Sequence, residues 1–409
     1  MVVMQLIKSF AVISCFYFIA WLLSENKRLF SYKILLSGIS LQIAIAVLLV
    51  EVPSITSSLD IISSGLQSIS DSTSKSLKFC FGELGDSNGP MGFILSLHAF
   101  PILIVISALA ALLMHWKILP FIIKMFSIFF RKTLSVGGTL GIAVSANMFT
   151  GMSETPLIIK SYLPKLTRSE LFSLITCGTT GIAGSVMVLY SVIIGSVMPN
   201  SMQHIISSVL IGIPAALTFS RIIVPETEVA LTEGDHIFSK KANNTLDAVF
   251  TGIMDGAQVM ITIIAMFIGF ISLIDIFDKI LANIVIGETA LSMQYILGLI
   301  FAPITWLMGV PWSEANIAGG LLGMRFITNE LVAYQEFANI GSSLSEHTKI
   351  IVVYALCGFA NVGSVGIILG VYNALVPARR SEINSFAVKA IIAGTMANCT
   401  TATIVGLLY

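Results

Sequence analysis

The sequence predicts an all-α polytopic membrane protein with an inverted repeat, and three observations carry that expectation. Of 409 residues, 56% are hydrophobic and only 11% are charged, with a mean hydropathy of +0.93; a soluble domain carries about 25% charged residues. The apolar residues fall in runs of the length that crosses a bilayer, about 20 residues each. Two passages roughly 180 residues apart also match each other, each with a lone glutamate in a broken apolar stretch, as expected of the two halves of a repeat. The formal net charge is zero, which argues against nucleic-acid binding, since that affinity rests on neutralising phosphates.

The apolar run 5–24 ends in Glu25-Asn26-Lys27-Arg28 without a small-residue cleavage site, so it reads as a first span rather than a signal peptide. The second span is 33–51. The serine-rich stretch 52–91 has mixed periodicity and reads as an external loop plus a surface helix. The third span is 92–114. The region 134–164 is apolar but broken by Gly137, Gly138, Gly141, Gly151 and Pro156, and is expected to be a re-entrant helical hairpin with Glu154 near its tip. Residues 171–220 contain no Asp, Glu, Lys or Arg and hold spans 170–197 and 202–224, with Pro199-Asn200 at the turn. Asn243–Gly256, with Asp247 and Asp255, reads as an amphipathic lead-in to the sixth span, 248–275. The region 294–338, broken by Pro303, Gly309, Pro311, Gly319, Gly320 and Gly323, is expected to be the second hairpin, with Glu330 near its tip. Spans 348–373 and 383–408 complete about eight transmembrane helices plus two hairpins. Irregular backbone at membrane depth is tolerated only where protein or an aqueous cavity satisfies it.

Basic residues set the orientation. Lys27, Arg28 and Lys33 follow the first span; Lys117, Lys124, Arg131 and Lys132 the third; Lys160, Lys165 and Arg168 the first hairpin; Lys240 and Lys241 the fifth span; Arg379 and Arg380 the seventh. With all of these in the cytoplasm, both termini lie outside and the hairpins enter from opposite faces. The expected location is the inner (plasma) membrane. The five cysteines have no CxxC spacing and read as packing residues. His98, His115, His204, His236 and His347 form no motif, and His98 reads as a satisfied interior histidine. Arg325 reads as a structural salt bridge or a snorkelling cation as readily as a substrate ligand. Trp306 and Trp312 are expected to pack or anchor the second hairpin.

The matching passages are Gly151-Met152-Ser153-Glu154-Thr155-Pro156, followed by Gly181-Ile182-Ala183-Gly184-Ser185-Val186, and Ile327-Thr328-Asn329-Glu330-Leu331-Val332, followed by Gly358-Phe359-Ala360-Asn361-Val362-Gly363-Ser364-Val365. A glutamate at membrane depth is costly and therefore a functional candidate. These blocks, with Leu166-Thr167-Arg168-Ser169-Glu170-Leu171-Phe172 and Met308-Gly309-Val310-Pro311-Trp312, resemble the concentrative nucleoside transporter family from about residue 92 onward.

The resemblance implies a homotrimer whose protomers pair a scaffold with a mobile transport domain that moves as an elevator. It implies a nucleoside held between the hairpin tips. Ser153 and Glu154 would face the nucleobase with Val186; Glu330, Asn361 and Ser364 would hold the ribose hydroxyls; Phe359 would pack beside them. Met152 stands where the family usually has Gln, which puts base preference in doubt. Sodium-coupled relatives are similar at Asn147, the backbone of Thr150, and Gly181-Ile182, although position 181 is often Ser there. Sodium is the expected coupling ion, with protons carried on Glu154 or Glu330 the alternative.

The organisation expected is 1–91 as N-terminal spans and external segment, 92–132 as scaffold span and cytoplasmic amphipathic segment, 133–225 as first repeat, 226–293 as linker and scaffold span, and 294–409 as second repeat. No HExxH, GxSxG or clustered aspartates occur, so an intramembrane enzyme is disfavoured. No cofactor is expected. A channel fits poorly with a hydrogen-bonding site of two carboxylates and an amide. Two buried carboxylates would repel an anion, which leaves a nucleoside or another neutral polar solute.

Overall fold

The first helices are α1 (Val2–Leu22), α2 (Tyr32–Glu51), α3 (Pro53–Phe81), α4 (Leu95–His98), α5 (Ile102–His115) and α6 (Ile118–Leu134). They are followed by α7 (Gly138–Ile158), α8 (Arg168–Thr180), α9 (Gly184–Ile194), α10 (Ser201–Ile223) and α11 (Thr245–Leu281). The chain closes with α12 (Met293–Leu307), α13 (Trp312–Ile327), α14 (Glu330–Ile340), α15 (Glu346–Leu356), α16 (Val362–Leu375) and α17 (Arg380–Gly406). A two-residue antiparallel pair, Val285–Ile286 with Thr289–Ala290, is the one sheet among the described residues. The computed structural model describes residues 2–87, 89, 92–134, 136–229, 242–283, 285–286 and 289–409. His236, Lys240 and Lys241 lie outside them.

Seven stretches are long and apolar enough to cross a membrane: Gln5–Leu22, Tyr32–Glu51, Leu95–His115, Arg168–Ile194, Ser201–Ile223, Thr245–Leu281 and Pro377–Gly406. The expected seventh span, 348–373, is instead two half-helices, α15 and α16, separated by unwound backbone around Gly358. The span 170–197 is divided in the same way, into α8 and α9 at Gly181–Ala183. These breaks are counterparts. The order α5, α6, α7, α8/α9, α10 recurs as α11, α12, α13/α14, α15/α16, α17.

Three further elements differ from the sequence expectation. The stretch 52–91 holds a 29-residue helix, α3, not mainly a loop. Pro53 starts it, and the serines bond backward along it: Ser57 Oγ donates to Pro53 O at 2.8 Å, Ser68 to Ser64 O at 3.0 Å and Ser72 to Ser68 O at 2.8 Å. Such bonds satisfy the hydroxyls without leaving the helix. The region 294–338 is three helices. A 118° bend separates α12 from α13, because Gly309 takes φ 115° and Pro311 caps α13. The second hairpin is therefore α13–α14 alone, and α12 is the counterpart of α6. Finally, the amphipathic lead-in at Asn243–Gly256 is continuous with its span in the 37-residue α11.

α11 crosses α5 closely. A Cβ at Gly252 would lie 2.7 Å from Ala108 Cα, and one at Gly256 would lie 2.7 Å from Ile104 Cα. Small residues four apart permit such an approach. Beyond that crossing, one side of α11 packs on the core through Val259, Met260, Ile263 and Ile264 and the other is bare: 6% of its spanning window is buried, against 83% for α10. The core lies among α8, α10, α15 and α17, where Phe172, Phe219, Tyr354 and Phe386 are fully enclosed.

At one end of the helices an ion cluster ties three connections together. Arg168 donates from Nε and Nη2 to the two oxygens of Glu25 at 2.8 Å each, and its Nη1 lies 3.3 Å from Glu382. Lys389 reaches Glu25 at 2.9 Å and Arg379 reaches Glu382 at 2.6 Å. Three of the basic segments assigned to one face by the sequence thus share one end of the molecule.

Candidate functional site

Glu330 opens α14 at the second hairpin tip. Asn329 precedes it as N-cap, its Oδ1 accepting from Val332 N–H at 2.9 Å. A cap of this kind fixes where the helix starts, and so where the carboxylate projects. Glu330 is 5% exposed. Its Oε1 accepts from the Tyr190 hydroxyl at 2.6 Å and its Oε2 from Asn361 Nδ2 at 2.9 Å. Asn361 in turn caps α16, its Oδ1 accepting from Ser364 N–H at 2.9 Å. The Ser364 hydroxyl donates to Phe359 O and, at 3.2 Å, to Asn361 Oδ1. One hairpin tip and two broken helices therefore meet at a single carboxylate, since Tyr190 belongs to α9.

Tyr190 escaped the sequence reading because it lies in an uncharged apolar run. A buried phenol needs a hydrogen-bond partner, and Tyr190 is among the largest fully enclosed side chains. Its ring lies 5.0 Å from that of Tyr334, whose hydroxyl donates to Val353 O at 2.9 Å.

The first hairpin is built differently. Gly151 takes φ 77° and ψ 179° inside α7, and a Cβ there would lie 2.8 Å from Ala183 Cβ. Only glycine both adopts that conformation readily and permits the close approach. The tip thus seats on the break between α8 and α9. Ser153 and Glu154 are exposed. Glu154, with Phe149, Thr150 and Ser185, lines a cavity of about 810 Å³ whose other walls come from α5, α6, the turn between them and α11, including Lys117, Lys124 and Asp255. Met152 turns away from it: it is 4% exposed, and a Cβ at Gly178 would lie 3.1 Å from its Cβ. Glu330, Asn361, Ser364, Val186 and Phe359 do not line this cavity. Val186, Asn361 and Ser364 are buried and Phe359 is half-buried.

The two halves touch through their breaks. Phe359 N–H donates to Gly181 O at 3.3 Å, linking the segment after α8 to the segment after α15.

Oxygen atoms gather behind the first tip. Asn147 Nδ2 donates to Cys177 O at 3.0 Å, and its Oδ1 accepts from Thr155 Oγ1 at 3.4 Å. Thr150 and Thr155 hydroxyls lie 3.0 Å apart, and Thr155 donates to Gly151 O at 2.8 Å. Gly181 is adjacent: a Cβ there would lie 3.2 Å from Asn147 Nδ2. Ile182 is fully buried. Neutral oxygens of this kind suit a hard cation. Thr155 was not singled out by sequence, although it sits inside the hairpin motif. Among the described residues no cluster of three or more His, Cys, Asp or Glu could hold a metal ion.

Arg325 neither snorkels nor forms a salt bridge among the described residues; it is buried on α13 and bonds backbone carbonyls. His98 has both nitrogens engaged, Nδ1 accepting from Ile94 N–H at 2.7 Å and Nε2 lying 2.9 Å from Leu84 O. Trp306 and Trp312 stack edge to face at 6.0 Å across the α12–α13 bend.

Three family models match the chain. Residues 204–406 match "Na+ dependent nucleoside transporter C-terminus", residues 12–84 match "Na+ dependent nucleoside transporter N-terminus", and residues 96–197 match a "Nucleoside recognition" gate. The chain is 35% identical over 398 residues to an uncharacterized transporter of Haemophilus influenzae, covering 95% of this chain and 94% of that protein. It is 31% identical over 402 residues to the nucleoside permease NupC of Helicobacter pylori, covering 96% and 95%. It superposes on CNTnw in an inward-facing substrate-bound state with TM-score 0.91, at 31% identity over 98% of each chain. A doubly substituted CNTnw in an outward-facing state gives TM-score 0.91 at 30% identity, over 100% and 99%.

Proposed function

The chain belongs to the Na+ dependent nucleoside transporter family, and from that premise we propose that it is a sodium-driven symporter importing nucleosides. It is a multi-pass membrane transporter rather than an enzyme. The observation that carries the proposal is the carboxylate of Glu330 held between Tyr190 and Asn361 at the meeting of a hairpin tip and two broken helices.

Glu330 and Asn361 take the ribose hydroxyls. A carboxylate accepts two hydrogen bonds from a vicinal diol, and an amide both donates and accepts. Ser364 fixes the orientation of Asn361. Ser153 and Glu154 face the nucleobase, with Val186 and Phe359 as apolar neighbours, while Met152 packs behind the tip against Gly178. The sodium ion lies by Asn147, Thr150, Thr155 and the freed carbonyls near Gly181 and Ile182. Half-helix ends and unwound carbonyls are where coupling cations bind in transporters of this architecture.

α5 and α11 form the scaffold, and the hairpins and broken helices move against it. The bare face of α11 is the surface on which three copies assemble into a homotrimer.

Uptake of radiolabelled uridine and adenosine into proteoliposomes tests the proposal. Accumulation under an inward sodium gradient is the expected result. Accumulation under a proton gradient alone would replace sodium with a proton carried on a glutamate. No uptake of either nucleoside by folded protein would overturn the substrate assignment.

A further inference from the structure

The two broken helices meet different partners. In the first repeat, the carbonyl at the end of α8 (Cys177 O) is met by the neutral amide of Asn147. In the second, the corresponding carbonyls meet a guanidinium. Arg325 is 1% exposed. Its Nη1 donates to Ala355 O at 2.8 Å, in the last turn of α15, and its Nε donates to Gly358 O at 3.2 Å, in the unwound segment beyond. Asn398 from α17 adds a bond to Cys357 O at 2.7 Å. The third nitrogen, Nη2, is buried without a hydrogen-bond partner.

A buried guanidinium with no carboxylate beside it is expensive to desolvate. Here the compensation comes from the C-terminal end of a half-helix, whose carbonyls carry negative partial charge. That is the kind of place where a discontinuous helix binds a mobile coupling cation. Arg325 fills it permanently. Glu330 lies five residues along the same hairpin.

We propose that Arg325 is a tethered cation, doing for the second broken helix what the mobile sodium ion does for the first, an inference that rests on the sodium assignment above. It is a positioning residue: it holds the end of α15 and the stem of the second hairpin in the geometry that presents Glu330. Its consequence is stoichiometric. One mobile cation per nucleoside completes the charge of both halves, and removing the guanidinium opens a second cation requirement.

The test uses full-length protein in liposomes and uridine uptake as a function of sodium concentration. Arg325→Met, which keeps length without charge, is expected to lose about 100-fold in uptake at low sodium, as two buried carbonyls lose charged partners. Its sodium dependence is expected to be steeper than that of wild type, which a loss of packing alone would not produce. Arg325→Ala is expected to be rescued saturably by millimolar guanidinium and not by urea, which has the same shape and no charge. Wild-type uptake by folded Arg325→Met, or equal rescue by urea, overturns the proposal. Should Arg325→Ala fail to fold, Arg325→Lys decides: greater uptake than Arg325→Met supports the tethered charge, and equality of the two overturns it. Failure of the sodium assignment is separately visible, as wild-type protein that does not respond to sodium.

Discussion

Glu154 and Glu330 are counterparts in sequence, yet the protein treats them oppositely. Glu330 is enclosed, with both oxygens already held by Tyr190 and Asn361. Glu154 stands exposed on the wall of a large cavity with Thr150 and Ser185. A site whose polar groups are fixed before the ligand arrives rejects analogues that cannot repeat the bonds, whereas one facing solvent adapts more cheaply. This contrast supports the proposed assignment, in which the second hairpin takes the invariant part of a nucleoside, its sugar, and the first the variable part, its base.

Glu330→Gln breaks this contrast most severely. It is expected to weaken uridine binding by about 100-fold, since hydrogen bonds to a charged group are worth about 1.5–3 kcal/mol each. Calorimetric titration checks it, and wild-type affinity in that variant would sink the ribose assignment. Tyr190→Phe removes one bond and leaves the ring packing, so about a tenfold loss is expected in the same titration.

Glu154→Gln sharpens the contrast instead. The ratio of uridine to 2′-deoxyuridine affinity is expected to stay at its wild-type value while uridine-versus-adenosine selectivity shifts. A changed ribose ratio would merge the two half-sites into one. Gly181→Ser adds a hydroxyl next to Asn147, whose Nδ2 would lie 3.2 Å from the new Cβ and must yield by a few tenths of an ångström; the sodium concentration for half-maximal uptake is expected to fall about threefold, in line with the modest net value of one added oxygen ligand.

The smallest effect lies at the ion cluster. Hydrogen bonding from Arg168, with help from Lys389, outweighs burial and holds the Glu25 carboxyl down to about 2 from its usual 4.5. A depressed carboxyl stabilises the fold fully above pH 4.5, and the contribution fades as pH falls toward 2. Thermal stability is therefore expected to be flat in this respect from pH 5 to 8. Glu25→Gln is expected to cost under about 1 kcal/mol in melting experiments at neutral pH, because water screens a partly exposed pair.

The paired glutamates, the glycine-broken segments and the repeat were legible in the sequence because charge and glycine are conspicuous against an apolar background. Tyr190 was not, because a tyrosine in a run such as Val188-Leu189-Tyr190 looks like core filler until its hydroxyl's partner is known. The division of 348–373 into α15 and α16 was hidden for a similar reason. Hydropathy stays high across Cys357–Asn361, and only the φ of 159° at Gly358, with Thr180 O and Asn398 Nδ2 within 2.4 Å of where a Cβ would stand, demands the break. The α3 serines misled by composition, since bonds such as those of Ser57, Ser68 and Ser72 to carbonyls four residues back depend on the helix they help to complete. Arg325 was visible, but its partners are carbonyls, which every residue has, so sequence could not name them.

The hydrogen bond from Phe359 N–H to the Gly181 carbonyl has a genetic consequence. It joins the two breaks by backbone alone, so no substitution other than proline at position 359 removes it directly, yet any substitution that displaces one break displaces the other. Effects at Gly151, Ala183 and Gly181 will therefore fail to add to effects at Gly358 and Asn361. In a selection for nucleoside uptake these positions, dispersed over two hundred residues, will behave as a single locus, with suppressors of a lesion in one repeat arising in the other.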